Sequence, residues 1–329
     1  MKNQNYFLLI TTMVLVILSV CNKLSAESKL NQVLTDSISK QLKYKQIDSI
    51  FITGVSLKTG KILISVKAEK TINEPNIQNT PEIIKRRIEP KELFIPFSIL
   101  NILGTGNVKE DDLKDTYNGI RRFGKVVIKD NSYIRGGYGV ISLKMCIPLS
   151  SNIGTVAFCK DAFKKRNSFY SGISDMNLST ISELNHYQST NIKTAIGCGF
   201  KTSVESLIKD FSAIAYNENI TDTKVIQENS IELRKINCSP ETLLQVREML
   251  VEKGNQFKMQ FNIPITKSIG GMSCTDFSFT QNVAPIKYIC YFYPAEKPEY
   301  IYFINCYGKQ DDTLQLVGDI INITLVNNE

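Results

Sequence analysis

The chain has 329 residues, 43% hydrophobic and 22% charged, which are the proportions of a folded protein with a large apolar core and not of a disordered chain. Its length is sufficient for about two domains. The formal net charge is +7, but the 39 Lys and Arg residues are spread along the chain, and the densest patch is only Lys85–Arg87. Because there is no basic tail and no Arg-rich helix, nucleic-acid binding is not predicted.

The first 26 residues have the layout of a secretory signal peptide. Lys2 supplies a positive charge, Tyr6–Val20 is mostly apolar, and small residues lead up to a cleavage point after Ala26. The apolar run is shorter than the roughly 17–25 residues of a membrane span. We therefore predict an exported protein, in the periplasm or on the outer face of the cytoplasmic membrane. An uncleaved membrane anchor and a lipoprotein formed at Cys21 are the alternatives.

The spacing of the cysteine and histidine residues predicts neither a metal site nor a nucleophile pair. The seven cysteines beyond Ala26 contain no C-x-x-C pair, and their odd number argues against a complete disulfide framework. Their apolar surroundings predict buried thiols. His186, the single histidine, lies in a polar stretch and is predicted at the surface. No metal and no cofactor are predicted.

The beginning of the chain predicts a helix followed by a hairpin. Residues 27–46 carry apolar side chains at helical spacing, typical of a short helix or a structured linker. Ile47–Val55 and Ile62–Val66 are rich in β-branched residues and flank a turn that contains Gly60, which predicts two paired strands. The polar stretch Glu69–Thr80 is predicted to be a loop.

The middle and the end of the chain contain further helices and strands. Pro96 suits the first turn of a helix, Ser239 suits an N-cap, and Gly254 is expected to end the helix that Ser239 begins. The predicted helices are Phe94–Leu103, apolar stretches within Ile141–Lys164, Thr202–Tyr216, residues 240–252 and Gln315–Val326. The predicted strands are Lys125–Asp130, Thr223–Ile236, Tyr288–Tyr293 and Tyr300–Tyr307. Early strands must pair with late strands to bury their faces, which predicts one α/β core.

This order of segments resembles the transpeptidase domain of class B penicillin-binding proteins, relatives of the serine β-lactamases, from about Ile47 to the C-terminus. Three stretches carry the resemblance: the hairpin Ser56–Leu63, the Gly-x-Gly segment Ile196–Phe200, and the aromatic run with its Pro-containing turn, Cys290–Tyr300. The resemblance implies an antiparallel sheet flanked by helices. It also implies one domain over residues 47–329, with a mostly helical inserted subdomain at roughly 89–216.

The family's Ser-x-x-Lys motif is altered at both of its functional positions. In active members the serine attacks a carbonyl, and the lysine one helical turn later accepts its proton. The matching stretch is Glu89–Phe97, where Glu92 stands at the serine position and Ile95 at the lysine position. A carboxylate would form an anhydride instead of a stable ester, and isoleucine accepts no proton, so acylation is predicted to fail. Other Ser-x-x-Lys strings lie in different parts of the fold, at Ser37/Lys40 and Ser206/Lys209.

The other two motifs supply candidate substrate-binding residues. Ser150-Ser151-Asn152 matches Ser-x-Asn, whose serine relays protons and whose asparagine holds the substrate amide in active members. A helix cap is the alternative interpretation of this stretch. Thr266–Gly271 resembles Lys-Thr-Gly-Thr, a strand that binds the substrate carboxylate, but its glycine comes one residue late. The candidates are Ser150, Asn152, Lys267 and Ser268.

The sequence therefore predicts a member that no longer catalyses, and that binds peptidoglycan stem peptides or proteins of wall synthesis and division. Only about twenty residues separate Ala26 from the first strand, fewer than the N-terminal domain of active class B members needs. One alternative is an enzyme with displaced residues, in which Glu92 activates a water as a general base. If Glu92 has only a structural role, we expect it to pair with a nearby cation such as Lys267. The other alternative is an exported adhesin or ligand-binding module.

Overall fold

A computed structural model describes residues 29–72, 74–164, 166–181, 191–216, 229–264, 266–275 and 287–326. The first elements are helix α1 (29–44) and strands β1 (Ile47–Ser56), β2 (Ile62–Glu69) and β3 (Asn76–Asn79). Next come β4 (Arg87–Ile88), α2 (Ile95–Gly104), β5 (Leu113–Asp115), β6 (Ile120–Phe123), β7 (Val126–Lys129) and β8 (Val140–Ser142). They are followed by α3 (Cys146–Leu149), α4 (Asn152–Ala162), α5 (Arg166–Asp175), α6 (Asn191–Thr194), β9 (Thr202–Ser203) and α7 (Val204–Tyr216). The last are α8 (Pro240–Phe261), β10 (Gly270–Thr275), β11 (Lys287–Tyr293), β12 (Tyr300–Gly308) and α9 (Gln310–Val326).

The main sheet has six antiparallel strands among the described residues, in the order β10-β11-β12-β1-β2-β3. Strand β1 pairs with β2 on one side and with β12 on the other, so Ile52 lies between Val66 and Ile304. The predicted hairpin and the predicted pairing of early with late strands are both confirmed. The antiparallel sheet flanked by helices is the predicted fold class.

Both faces of the sheet are covered by helices. Successive side chains of a strand point to opposite faces, and accordingly Ile50 and Ile52 lie in one apolar cluster while Phe51 and Val55 lie in the other. The first cluster contains residues of α1 and α9, and the second contains residues of α2, α7 and α8. Helix α1 is thus part of the sheet's core: its residues at i, i+4, i+8 and i+12 are all buried, namely Leu30, Leu34, Ile38 and Leu42.

The inserted region between β4 and α7 contains helices, as predicted, and also two small sheets that were only partly predicted. Strand β5 pairs with β8, and β6 pairs with β7. Only β7 corresponds to a predicted run, because strands of three or four residues are too short for alternation to identify them.

Several local predictions are wrong. Residues 76–79 form the edge strand β3 where a loop was expected. Of the predicted strand Thr223–Ile236, the part up to 228 lies outside the described residues, and the rest contributes only the isolated bridge from Ser230 to Lys61. The predicted signal segment and His186 also lie outside the described residues. In the described part of the chain, no helix combines the length and the apolarity required to span a membrane.

Helix α8 begins as predicted but does not end at Gly254. The Ser239 hydroxyl accepts the Thr242 N–H as an N-cap, and the helix continues to Phe261. Gly254 has a packing role, since a Cβ built there would lie 1.9 Å from the Ile269 carbonyl oxygen just before β10. The glycine allows the helix backbone to approach the sheet closely.

Replacing Gly254 by alanine should therefore destabilise the protein, although alanine favours helices. Because the Cβ would meet a backbone oxygen and not a flexible side chain, we expect the free energy of unfolding to fall by about 3 kcal/mol or more. The control is Gly104→Ala at the end of α2, where a Cβ would meet nothing within 4 Å. That change should leave stability unchanged or raise it by up to about 1 kcal/mol. Equal denaturation midpoints for the two variants would contradict the packing role.

Candidate functional site

The backbone that presents Glu92 is a short 3-10 turn, Lys91–Phe94, held by the Gly-x-Gly segment. The Lys91 N–H donates to the Gly197 carbonyl at 2.9 Å, and a Cβ on Gly197 would lie 2.1 Å from the Lys91 carbonyl oxygen. The Gly199 N–H donates to the Glu89 carboxylate at 2.5 Å. Only glycine fits such an approach, so two stretches a hundred residues apart in the sequence fix the turn together.

The two positions that the sequence analysis matched to the Ser-x-x-Lys motif are both buried. Ile95 is 0% exposed and belongs to the apolar core, and Glu92 is 7% exposed. Glu92 Oε1 accepts a hydrogen bond from the Asn152 side-chain amide at 3.4 Å. Glu92 Oε2 is also shielded from solvent and has no hydrogen-bond partner among the described residues. The carboxylate is therefore enclosed, and only one of its oxygens is paired.

The Ser150–Asn152 stretch serves both as a helix cap and as a wall of the site. Ser150 adopts a left-handed conformation, with φ of 52°, that turns the chain between α3 and α4. Ser151 is the N-cap of α4, and its hydroxyl accepts the Gly154 N–H at 3.0 Å. Asn152 points back and donates to Glu92 and to the Lys129 carbonyl at 3.1 Å. The structure thus brings Asn152 to Glu92, and the ligand-binding roles of Ser150 and Asn152 stay predictions.

Asp130 is a second buried carboxyl group of the site, one that sequence reasoning missed. It follows β7, is 1% exposed, and accepts hydrogen bonds from the Ile153 N–H and the Ser151 hydroxyl, both at 2.9 Å. The pKa of Asp130 is raised to about 6: burial is the largest cause, the hydrogen bonds to the carboxylate oppose it, and the negative charge of Glu92 adds a smaller increase. Its partners lie more than twenty residues away in the sequence, so spacing alone gave no signal.

Lys253 of α8 is a cation of the site that the sequence also did not indicate. Its ammonium group donates to the Pro148 carbonyl at 2.9 Å and to the Gln256 side chain at 3.3 Å. Burial lowers the pKa of Lys253 to about 8, while the negative charge of Glu92 acts in the opposite direction. Glu92 thus attracts Lys253, whereas the sequence had suggested Lys267 as its cation.

Lys267 and Ser268 precede β10 and do not lie on it. The Lys267 N–H donates to the Pro264 carbonyl in a turn, and the Ser268 hydroxyl donates to the Glu296 carboxylate. The expectation that Thr266–Gly271 forms the strand beside position 92 is wrong, because the strand starts at Gly270 and it is this later segment that packs against the Lys91–Phe94 turn. A ligand-binding role for Lys267 and Ser268 stays a prediction.

Cys198 is a thiol close to Glu92, but its surroundings do not activate it as a nucleophile. Cys198, in the Gly-x-Gly segment, is the thiol whose pKa responds to Glu92; burial first, and then the charges of Glu89 and Glu92, raise that pKa to about 12. The group is therefore a protonated thiol at neutral pH and a poor nucleophile. No cluster of His, Cys, Asp or Glu in the described ranges is suited to a metal ion.

The cysteines of the described segments are free thiols, and five of the seven are buried, as predicted.

A cavity of about 900 Å³ lies at the opposite end of α2 from Glu92, lined in part by Leu103, Ser171 and Cys238. The enclosed carboxylate at Glu92 is therefore separate from that cavity.

Comparison with known proteins identifies relatives of the whole arrangement. The family profile described as "Penicillin binding protein transpeptidase domain" matches residues 50–309. A search of curated proteins gave no match. Among solved structures, the transpeptidase domain of Burkholderia pseudomallei penicillin-binding protein 3 aligns with a TM-score of 0.66 at 16% identity, over 92% of this chain and 93% of that one.

Two further structures have the same fold. A peptidoglycan glycosyltransferase from Burkholderia ambifaria aligns with a TM-score of 0.66 at 16% identity, over 92% of this chain and 95% of its own. Penicillin-binding protein 2B from Streptococcus pneumoniae gives 0.67 at 14% identity, over 91% of this chain and 58% of its own. At these identities the structures establish the fold alone.

The raised pKa of Asp130 predicts a specific pH dependence of stability. The pKa in the folded protein is about 6, against an ordinary value of 3.8, so the stabilising contribution of the protonated group is complete below pH 3.8 and is lost as the pH rises through about 6. Between pH 4 and pH 7 the wild type should lose about 3 kcal/mol more unfolding free energy than Asp130→Asn. Urea denaturation at both pH values measures this difference.

The control for this experiment is Asp48→Asn, a change at an exposed carboxylate of β1. This variant should keep the wild-type pH dependence. Asp210, which is also buried and has a raised pKa, is present in all three proteins, so its titration does not contribute to the difference between them. A pH dependence of Asp130→Asn parallel to that of the wild type would refute the assignment.

Proposed function

This chain belongs to the family of penicillin binding protein transpeptidase domains, and on that basis we propose that it is a non-catalytic member acting in peptidoglycan biosynthesis or division. The observation that carries the proposal is the pair Glu92 and Ile95, which occupies the positions of the nucleophile and its base. The adhesin alternative loses its basis because the family match extends over most of the chain.

Loss of catalysis follows from the chemistry of the two side chains and from their burial. Ile95 accepts no proton and is enclosed by apolar neighbours. Acylation of Glu92 would give an anhydride, and the Oε2 atom of its carboxylate is shielded from solvent. Removal of a nucleophile and its base eliminates most of the rate acceleration of such enzymes.

The burial of Glu92 also argues against the alternative of a hydrolase with this carboxylate as general base. A general base must reach the proton that it abstracts, directly or through one water. Glu92 is 7% exposed, its Oε1 atom accepts a hydrogen bond from the Asn152 side chain, and its Oε2 atom is shielded from solvent. A substrate would have to displace the Asn152 contact before it could approach the carboxylate.

A binding role fits the groups that remain accessible near this closed site. Strand β10 is an edge strand beside the Lys91–Phe94 turn, and an extended peptide can add to such an edge through its backbone. Lys267 and Ser268, both partly exposed, lead into this strand. We therefore place a peptidoglycan stem peptide along β10, with its carboxylate near Lys267. Export through the N-terminal segment, to the periplasm or the outer membrane face, is part of the same proposal.

Labelling with a fluorescent penicillin tests the loss of catalysis. The wild type should show no covalent band on a denaturing gel beside an active relative. Glu92→Ser alone should also stay unlabelled, because Ile95 still provides no base. A wild-type band of comparable intensity would mean that another residue has become the nucleophile, and the proposal of a non-catalytic member would fail.

Titration with a synthetic stem pentapeptide tests the binding role. We expect saturable, non-covalent binding that is weakened by Lys267→Gln, since a partly exposed charge pair contributes about 1 kcal/mol, which is roughly a five-fold change in Kd. Lys43→Gln, which removes an exposed charge from α1, is the matched control and should bind like the wild type. No binding, or an equal loss in both variants, would contradict a stem-peptide site along β10.

A further inference from the structure

Exposed apolar side chains are concentrated in the small β-region between β5 and β8. Of the large hydrophobic side chains exposed in the described part of the chain, half lie within residues 113–140. Isolated exposed hydrophobic residues are ordinary, so what matters is which of them share one surface. The six residues, called the cluster below because they are close in the sequence, are Leu113, Tyr117, Ile120, Val127, Ile134 and Val140.

The β6–β7 hairpin shows how the cluster is arranged. Its pairs are Ile120 with Lys129 and Arg122 with Val127, and these four side chains share the exposed face. The opposite face, which includes Phe123 and Ile128, packs in a separate apolar cluster on α4. The hairpin is thus anchored from behind and presents a face on which two aliphatic and two cationic side chains alternate diagonally.

The hairpin and the residues that follow it carry an excess of basic side chains, although Glu110, Asp111 and Asp112 precede β5 and Lys114 pairs with Asp161. Residues 113–140 include six Lys or Arg residues and two Asp residues, of which Asp130 is buried. Lys125 at the hairpin turn and Arg135 beyond it are exposed together with Arg122 and Lys129. A second copy of the chain would bring like charges together on this face, so the charge pattern favours an anionic partner.

We propose that the outward face of the β6–β7 hairpin, with Tyr117 and Ile134 beside it, binds the surface of an anionic lipid bilayer. Aliphatic side chains enter the interface between headgroups while the cations contact lipid phosphates. The exposed face of two four-residue strands covers on the order of 130 Å², far less than the roughly 800 Å² that each partner of a stable protein complex buries. A lipid surface requires no matching shape, so a small face of this composition is sufficient.

The absence of tryptophan from the chain provides a direct test. In full-length Val127→Trp, the single indole reports on the hairpin alone, whatever the N-terminal apolar segment does. With vesicles of phosphatidylcholine and phosphatidylglycerol at 3:1, we expect a blue shift of the emission and quenching by brominated acyl chains. Leu244→Trp, at an exposed position of α8, should show neither change, even if the N-terminal segment binds the vesicles.

The charge requirement has its own variants. Arg122→Gln combined with Lys129→Gln, in the Val127→Trp background, should weaken vesicle binding about 25-fold at low salt, since each cation near an anionic surface changes binding about five-fold. Lys43→Gln combined with Lys58→Gln removes the same charge from exposed positions elsewhere and should leave vesicle binding of the Val127→Trp protein unchanged.

Three results would overturn the proposal. The first is an unchanged Val127→Trp emission in anionic vesicles. The second is an equal blue shift with pure phosphatidylcholine, which would remove the role of the cations. The third is a concentration-dependent blue shift without lipid accompanied by a dimer on gel filtration, which would identify a second copy as the occupant.

Discussion

The whole architecture depends on the burial of β1 on both faces and along both edges. Every residue from Ile50 to Val55 is buried. The strand therefore needs apolar packing on each face and a hydrogen-bonded neighbouring strand at each edge. The chain cannot provide these locally. Strand β2 pairs with one edge, while β12, some 250 residues later, pairs with the other. Strands β2 and β3 extend the sheet on one side and β11 and β10 on the other, so the chain between β3 and β10 must leave the sheet and return, which makes the middle of the chain an insertion.

The same packing closes the site around Glu92. The Gly-x-Gly segment holds the turn that carries Glu92, α4 supplies Asn152 from one side, and α8 supplies Lys253 from another. Two carboxyl groups and one ammonium group are thereby enclosed, and burial is the largest cause of the shifted pKa values of Asp130 and Lys253. Such a group of charges is costly to bury unless it is paired. Here the charges are only partly satisfied: Asp130 accepts two hydrogen bonds and Lys253 donates to the Pro148 carbonyl, whereas Glu92 Oε2 has no hydrogen-bond partner among the described residues.

Local signals were enough to predict most of the long elements. Neighbouring residues were sufficient to identify helix α2 with Pro96, the Ser239 cap of α8, and the aromatic strands β11 and β12. The failures are also physical. Gly254 looks like a helix end in sequence, yet it is required where α8 touches the backbone before β10. Asp130 and Lys253 gave no signal because their partners lie on other elements, and Lys267 was assigned to a strand that begins three residues later.

The sequence by itself determined that the chain forms an antiparallel α/β domain of this family and that positions 92 and 95 carry neither a serine nor a lysine. The family and the two positions were recognised from the resemblance of short motifs and of their order along the chain, and such motifs are visible in consecutive residues. Only the tertiary structure decided that the Glu92 carboxylate is enclosed, that Asn152 donates a hydrogen bond to it, and that its charge acts on the buried Lys253. Burial and electrostatics are set by what surrounds a group, and those surroundings come from segments distant in the chain.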